Sequence, residues 1–475
     1  MLTTLSPRRS ADSLSAQRLC RPRMVAVVSV SWAAMLLLIG SPNLSADQPE
    51  GESQRPNVVL IMADDMGYEC VTANGGQSYQ TPHIDRLAAE GIRFEDCYSQ
   101  PICTPSRVQI MTGVYNSRNY VKFGKLKTGS YTFGNLLRDA GYATCVVGKW
   151  QLEGGFQGPD EFGFDEYCLW QLTRRPNRYA NPGLEMNGRE ADYRDGQYGP
   201  DVVTDYACDF IDRQAAQGDQ PFFLYYPMML PHWPFEPTPD SEDWDPTFRQ
   251  NDAKELSQKG SHPRYFSDMI AYTDKMVGKL VAKLEDHGLR DNTLVLFTGD
   301  NGTYSGITSR FNGRDWRGGK GHMMDNGTHV TLVANMPGTV PAGVVNGDLV
   351  DFSDFFPTLA DFSRASVPDS VAWDGRSFAP QLHGKPGNPR ENVYCWYYRN
   401  GRFVRGGDDH SAGESARTHR YKLYRSGDFY DVARDFKENH PLQADALNDS
   451  QRMVREELKA VLQQYARPGF RPTDQ

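Results

Sequence analysis

Residues 57–62 read NVVLIM, and residues 63–67, which follow at once, read ADDMG. The first stretch is an unbroken apolar run with β-branched residues, which is typical of a strand buried on both faces of a largely parallel sheet. The change to Asp64 and Asp65 marks the carboxyl end of that strand. Ligands of open α/β sheets bind beyond the carboxyl ends of the strands. This junction therefore predicts both the fold and the place of a site.

Similar apolar runs recur along the chain and alternate with segments of helical period. We predict further strands at 142–147, 221–226, 293–298 and 330–334, and helices at 84–90, 133–140 and 265–287. Strands that alternate with helices predict an α/β doubly wound fold.

The amino-acid composition changes at about Asp374, where clusters of Pro, Gly and Asn begin. Short aromatic strands are predicted at 393–398, 421–424 and 429–432, and a final helix near 451–465. We therefore expect a small antiparallel sheet with a covering helix. A chain of 475 residues with 39% hydrophobic residues is long enough for one large domain with such a satellite.

Residues 1–46 differ in composition from the rest of the chain. Five arginines precede an apolar run from Val25 to Gly40, and small and polar residues follow as far as Ala46. This is the layout of a secretory signal peptide, which predicts a periplasmic or secreted protein. The run of about 16 residues is shorter than the ~20 that cross a bilayer. A retained membrane anchor is the alternative, and we expect no stable membrane insertion.

Charge and cysteine content narrow the function. Removal of residues 1–46 takes away five arginines and one aspartate, which lowers the formal net charge from −9 to about −13. Nucleic acid is therefore an improbable partner. Six cysteines remain besides Cys20 and Cys103, and they either pair in an oxidising compartment or stay as buried thiols. These are Cys70, Cys97, Cys145, Cys168, Cys208 and Cys395.

Acidic side chains follow two of the predicted strands. Asp64 and Asp65 follow the first, and Asp300 and Asn301 lie in the segment TGDNG at 298–302. Three carboxylates at one point repel one another strongly, and an all-oxygen ligand set suits a hard divalent cation. The alternative is that the first pair caps a helix and the second forms a turn.

Residues 103–107 read CTPSR, and this run resembles the maturation and nucleophile signature of type I sulfatases, members of the alkaline phosphatase superfamily. Taken alone, Cys103 would be an ordinary buried thiol. Further motifs resemble that family at 148–150 (GKW), 231–235 (PHWPF) and 318–321 (GGKG). The resemblance implies a large mixed, mostly parallel sheet flanked by helices, with a catalytic domain at 55–373 and a C-terminal subdomain at 374–475.

The resemblance also implies the chemistry. A formylglycine-generating enzyme would oxidise Cys103 to formylglycine, whose hydrate attacks the sulfur of a sulfate ester, here one on a sulfated glycan. One calcium ion would be held by Asp64, Asp65, Cys103, Asp300 and Asn301.

Four basic side chains would take part in the reaction by the same resemblance. Lys149 would contact sulfate and the formylglycine, while His232 and Lys320 would hold sulfate oxygens and assist the leaving alcohol. Arg107 lies four residues after Cys103, on the same face of the predicted helix, and would orient the diol.

The chain departs from the family pattern after Gly-Lys-Trp, where members usually continue with His-Leu-Gly. Here Gln151, Leu152 and Glu153 follow, and a glutamine cannot act as a base at neutral pH. His322 and His329 are the candidate replacements; otherwise turnover is slow or water accepts the proton. The missing histidine raises one rival function, a sulfated-glycan-binding protein with impaired catalysis. A second rival is a phosphomonoester or phosphonate hydrolase, because the fold of the superfamily tolerates a change of tetrahedral anion.

Two segments rich in arginine and aromatic residues bear on the substrate. They are predicted either to bind additional sulfates or carboxylates of a polysaccharide or to be ordinary salt-bridged loops. The first contains Trp170, Arg174, Arg175, Arg178 and Tyr179, and the second spans residues 314–317.

Overall fold

The computed structural model describes residues 55–247, 262–397 and 413–466. The predicted signal peptide at 1–46 lies outside this range. The strands of the large sheet and of a small ribbon are β1 (Asn57–Ala63), β2 (Ile92–Tyr98), β3 (Ala143–Lys149), β4 (Glu166–Trp170), β5 (Gly183–Met186), β6 (Arg189–Asp192), β7 (Phe222–Pro227), β8 (Thr293–Gly299), β9 (Thr308–Phe311), β10 (Arg314–Arg317), β11 (His329–Asn335) and β12 (Val344–Asp351). The C-terminal strands are β13 (Val393–Tyr397), β14 (Gly413–Arg417), β15 (Tyr421–Tyr424) and β16 (Phe429–Asp431).

Helices cover both faces of the large sheet, and one packs on the C-terminal sheet. They are α1 (Pro82–Ala89), α2 (Cys103–Thr112), α3 (Asn116–Asn119), α4 (Phe133–Asp139), α5 (Gly158–Glu161), α6 (Gly199–Gln217), α7 (Tyr265–Asp286), α8 (Asp325–Thr328), α9 (Phe355–Ser363), α10 (Ala379–Leu382) and α11 (Asp449–Gln464). Short 3₁₀ turns lie at Tyr68–Cys70, Thr72–Asn74, Gly155–Gln157, Arg290–Asn292, Phe352–Asp354 and Ala444–Ala446.

The large sheet has ten strands in the order β12-β2-β11-β8-β1-β7-β3-β4-β5-β6. The central strands β8, β1, β7, β3 and β4 run parallel to one another, whereas β11, β5 and β6 are antiparallel to their neighbours. Strands β13 to β16 form a separate four-stranded antiparallel sheet, against which α11 packs. The predicted α/β fold with a large mixed sheet and a small C-terminal sheet is confirmed.

Strand β1 shows why the run at 57–62 is apolar throughout. Successive side chains of a strand point to opposite faces. Val59 and Ile61 pack in the core that contains residues of α6 and α7, whereas Val58 and Leu60 pack in the core that contains residues of α2, α4 and α9. Both faces of the strand are therefore buried, and the sheet lies between two helical layers.

The predicted strand and helix bounds agree with the structure to within one or two residues where the apolar pattern is strong. For example, the strand predicted at 293–298 is Thr293–Gly299, and the helix predicted at 265–287 is Tyr265–Asp286. The last residue of the strand predicted at 393–398 lies outside the described residues. Residues Gln54–Gln475 cluster as one compact unit, and the boundary at 373 and 374 stays a prediction.

Candidate active site

The acidic side chains meet at the carboxyl ends of β1 and β8, which pair in parallel with Ala63 opposite Gly299. The Asp65 amide donates to Asp300 Oδ1 at 3.0 Å, and Asn301 Nδ2 donates to Asp65 Oδ1 at 2.9 Å. Asp64, Asp65, Asp300 and Asn301 are all fully buried. The structure thus brings together the four residues that the sequence placed after these strands.

Three cationic side chains pair with these three carboxylates. Lys149 ends β3 and places Nζ 2.7 Å from Asp64 Oδ2. Lys320 Nζ lies 2.6 Å from both carboxylate oxygens of Asp65. Arg107 Nη2 lies 3.0 Å from Asp300 Oδ2.

Cys103 is the first residue of α2 and is 2% exposed. Arg107 follows one turn later, and its Nη1 donates to the Lys149 carbonyl oxygen at 3.0 Å. The positive end of a helix dipole stabilises negative charge within its first turn. The start of α2 therefore favours negative charge on the side chain at position 103, and Arg107 connects this helix to both β3 and the acidic residues.

His232 lies in the segment after β7, with Nε2 3.6 Å from Asp65 Oδ2. Its Nδ1 lies 3.1 Å from Arg178 Nη1 and also contacts the Trp233 carbonyl oxygen. A guanidinium only donates and a carbonyl only accepts, so these two neighbours favour opposite tautomers. Arg178 is 4% exposed, and its guanidinium carbon lies 3.9 Å from the Trp170 ring centroid.

The charges of this cluster shift the pKa values of its members in opposite directions. Burial disfavours the charge of Asp64, but Lys149, His232, Arg107 and Lys320 outweigh it and lower its pKa well below the ordinary value. Burial and then the Asp64 charge raise the pKa of Asp300 to about 7, against the opposing effect of Arg107 and Lys149.

The two outer basic groups also respond to the cluster. Burial and then the Lys320 and Lys149 charges lower the pKa of His232 well below its usual range, although Asp64 opposes them. Burial alone would lower the pKa of Lys320, but Asp65 and further negative groups of the site raise it. Near neutral pH the site therefore holds a charged lysine beside an uncharged imidazole.

The donor set fits a divalent cation. Asp64, Asp65 and His232 each offer a ligand atom, and these atoms lie within 4.8 Å of one another. Asn301 Oδ1 is fully buried and has no hydrogen-bond partner, although its Nδ2 is satisfied by Asp65 and by the Gly302 carbonyl oxygen. A buried amide oxygen without a donor costs about 1–3 kcal/mol. A hard cation bound there would remove that cost.

Gln151 is buried and adopts the left-handed backbone conformation, with φ of 57°. Its amide donates to the Gln171 carbonyl oxygen at 3.2 Å, and its buried Oε1 has no hydrogen-bond partner. The side chain at position 151 is therefore enclosed, and its amide oxygen is unsatisfied.

The two candidate replacement bases differ in their surroundings. The His329 ring stacks on Tyr68 with centroids 4.0 Å apart, and its Nε2 contacts the Glu95 carbonyl oxygen at 2.7 Å. Burial lowers its pKa, and the charges that act on it belong to Asp325, Asp96 and Arg417 rather than to the acidic cluster. The His322 amide donates to the Gly319 carbonyl oxygen at 2.8 Å. His322 lies two residues after Lys320.

Two features of the site escape sequence reasoning. The sequence predicts Arg178 either as a substrate contact or as part of a salt-bridged loop, yet it contacts His232. Glu236 is 2% exposed with Oε1 unpartnered, and burial, against the Arg178 charge, raises its pKa to about 8. Glu236 lies in no recognisable motif. It also lies nine residues after the end of β7, so it is not among the polar residues that directly follow a strand.

All cysteines in the described part of the chain are free and buried. Of the two alternatives for the six remaining residues, the structure therefore has buried thiols. In the same part of the chain we find no helix with the length and apolar character that a membrane span requires.

Comparison with known proteins places this site in a class. The sulfatase family matches residues 56–363, and the family of N-sulphoglucosamine sulphohydrolase C-terminal domains matches residues 316–467. The chain belongs to the sulfatase family and is a sulfuric ester hydrolase. Its resemblance to type I sulfatases is thereby confirmed.

Three relatives illustrate the similarity. The chain is 29% identical to N-acetylgalactosamine-6-sulfatase of Canis lupus familiaris over 79% of this chain and 74% of that protein. It is 31% identical to human arylsulfatase A over 76% of this chain and 73% of that protein. The crystal structure of Ps i-CgsB in complex with k-i-k-neocarrahexaose superposes with a TM-score of 0.70 at 26% identity, covering 88% of this chain and 94% of that one.

Proposed function

We propose that this protein is an exported, calcium-dependent sulfatase that hydrolyses sulfate esters of a glycan through a formylglycine formed from Cys103. The observation that supports the proposal most strongly is the contact made by the Arg107 side chain. This residue belongs to the signature that begins at Cys103, and it donates to Asp300, so the signature and the acidic residues form one site.

The proposed metal ligands are Asp64, Asp65, Asp300 and Asn301, together with the modified side chain at position 103. The unpartnered Asn301 Oδ1 supports an oxygen-seeking cation. When bound, calcium supplies positive charge that offsets the repulsion among the carboxylates and stabilises an anionic oxygen at position 103.

The chain's own residues account for the rest of the mechanism. The hydrated aldehyde supplies two oxygens at position 103, one to attack sulfur and one to expel sulfate later. Lys149 and Lys320, both within 3 Å of a carboxylate, neutralise the sulfate oxygens, which gain charge as the bond to the leaving oxygen breaks. His232 presents Nε2 on the Asp65 side and stabilises the departing alcohol by hydrogen bonding.

Two exposed aromatic side chains support a sugar substrate. Trp233 is 39% exposed directly after His232, and Tyr304 is 38% exposed three residues after Asn301. Exposed indole and phenol faces next to a polar site offer an apolar surface on which a sugar ring can stack. The relative named N-acetylgalactosamine-6-sulfatase and the structure with k-i-k-neocarrahexaose agree with this substrate class.

The test is sulfate release from a panel of sulfated glycans, with protein co-expressed with a formylglycine-generating enzyme. We expect release by the wild type and none by Cys103→Ala, with the aldehyde confirmed by mass spectrometry. Phosphate release from phosphomonoesters at comparable kcat/KM would instead favour the phosphohydrolase alternative.

Gln151 favours one further candidate, a protein that binds sulfated glycan without cleaving it. Without a base to accept the diol proton, sulfate elimination would be slow. Binding of a sulfated glycan by protein with a confirmed aldehyde, without sulfate release over many hours, would support that candidate.

A further inference from the structure

The loop at residues 171–182 leaves the large sheet beside the active site. It follows β4, whose last residue, Trp170, is paired in register with Lys149. The Trp150 amide donates to the Trp170 carbonyl oxygen at 2.9 Å, which extends this pairing past the end of β3. The loop therefore begins at the same end of the sheet as Lys149, the proposed sulfate-binding lysine.

Three arginines of this loop have different surroundings. Arg174 pairs with Asp192 at 2.7 Å and with Glu190 at 3.4 Å, so its charge is already compensated. Arg178 is buried between Trp170 and His232. Arg175 is exposed, and within the described residues it makes neither a hydrogen bond nor an ion pair.

Arg175 nevertheless lies beside Trp170, the residue paired with Lys149. Its guanidinium carbon lies 5.9 Å from the Trp170 ring centroid, and Arg178 contacts the same ring. Partial desolvation and then the Arg178 charge lower its pKa, while Cys103 and Asp64 act in the opposite direction. Two guanidinium groups thus contact one tryptophan, and among the described residues neither forms an ion pair with a carboxylate. A bound anion would stabilise this arrangement.

The two arginines of the second arginine-rich segment contact an aromatic ring or a backbone oxygen. The Arg314 guanidinium carbon lies 4.0 Å from the Phe436 ring centroid and stacks there, and Arg317 Nε donates to the Ser305 carbonyl oxygen at 2.9 Å. The alternative of an ordinary internally bonded loop therefore applies to Arg317 and to Arg174, but not to Arg175.

We propose that Arg175 binds a second anionic group of the substrate, a sulfate or a carboxylate, while the first sulfate reacts at Cys103. This inference rests on the proposed function and narrows its substrate class to glycans with at least two acidic groups. Lys149 and Lys320 are 1% and 14% exposed and lie within the site. Arg175 is exposed and differs in this from the two lysines, so it can bind an anionic group other than the reacting sulfate. A guanidinium fork accommodates either anion in a bidentate manner.

The experiment compares three substrates built on one sugar: the monosulfate, the disulfate, and the monosulfate linked to a uronic acid. We expect wild-type kcat/KM to be about tenfold or more higher for the better of the two doubly acidic substrates than for the monosulfate. The Arg175→Gln variant should lose about tenfold of this ratio, mainly through KM, because it loses the charge-assisted hydrogen bond to the second anion. The two acidic substrates distinguish sulfate from carboxylate as the natural ligand.

Arg189→Gln is the matched control, because Arg189 is an exposed arginine on the nearby strand β6 and lies outside the site. It removes the same charge and should leave the substrate ratio within about twofold of wild type. An unchanged ratio in Arg175→Gln would overturn the inference. An equal loss on all three substrates would also overturn it, because Arg175 would then contact the reacting sulfate.

A binding measurement separates this inference from the proposed function. Calorimetry with Cys103→Ala protein should show weaker binding of the disulfated or uronic-acid-linked sugar when Arg175→Gln is added, and little change for the monosulfate. Absence of sulfate release from every substrate would count against the proposed function alone. Equal affinities with and without Arg175 would count against the second anion site alone.

Discussion

Arg107 Nη2 lies 3.0 Å from Asp300 Oδ2, and both side chains are buried. The same nitrogen lies 3.8 Å from Asp64 Oδ1. One guanidinium thus joins the helix that begins at Cys103 to the ends of the two central strands β1 and β8. The same buried ion pair therefore belongs both to the core and to the site.

Substitution of Arg107 by Met should therefore lower both stability and activity. Removal of one partner of a buried pair costs about 3–5 kcal/mol because it leaves an uncompensated charge. Urea denaturation and sulfate release measure the two effects. The control is Arg86→Met: Arg86 Nη2 also lies 3.0 Å from its partner Glu285, but that pair is exposed. It should change the free energy of unfolding by at most about 1 kcal/mol, and equal effects of the two variants would contradict the prediction.

Calcium should raise the melting temperature of the wild-type protein in a concentration-dependent manner, because a ligand bound only by the folded state stabilises it by about 2.7 kcal/mol at one hundred times its Kd. Asn301→Ala should weaken this increment by removing the unpartnered amide oxygen. Thermal unfolding with and without a chelator measures it independently of activity.

Asn335→Ala provides the control for that experiment, because Asn335 is equally buried. Its Nδ2 donates to the Leu87 carbonyl oxygen at 3.0 Å, away from the site. This variant should have a lower melting temperature but the full calcium increment. A full increment in Asn301→Ala would remove Asn301 from the ligand set.

The carboxylates at the strand ends were predictable from sequence because a change from apolar to acidic residues is local. Strand β2 was not, since its sequence IRFEDCY places Arg93, Glu95 and Asp96 among the buried residues and breaks the apolar run. The contact of Arg178 with His232 could not be predicted from the sequence either. It joins two segments 54 residues apart, and only the packing of the loop at 171–182 against the segment after β7 brings them together.

Gln151→His should increase the rate of sulfate release. A general base contributes about 10²–10⁴-fold in catalysis, and we expect at least tenfold in kcat if elimination of sulfate limits turnover. The backbone at this position has φ of 57°, a conformation in which histidine occurs more often than most residues. Gln151→Asn alters the side chain without adding a base and should not raise kcat. An unchanged kcat in Gln151→His would contradict the prediction and would mean either that another group already serves as the base or that elimination does not limit turnover.

Glu236 gives the protein a pH-dependent stability of predictable sign. Burial raises its pKa to about 8 against the opposing Arg178 charge, whereas a glutamate in the unfolded chain titrates near 4.3. Between these values the folded state retains a proton that the unfolded state loses. Its contribution to stability is therefore complete below about pH 4 and is lost as pH rises through the folded pKa, by up to about 1.4 kcal/mol per pH unit.

Glu236→Gln removes this titration while keeping the size of the side chain. The free energy of unfolding of the variant, measured by urea denaturation at several pH values, should gain on that of the wild type steadily between pH 5 and pH 8. Glu69, whose pKa is raised by burial to about 7, is present in both proteins and so cancels in the difference. A difference that stays constant over this range would mean that Glu236 is ionised in the folded protein, with Arg178 as its effective counter-charge.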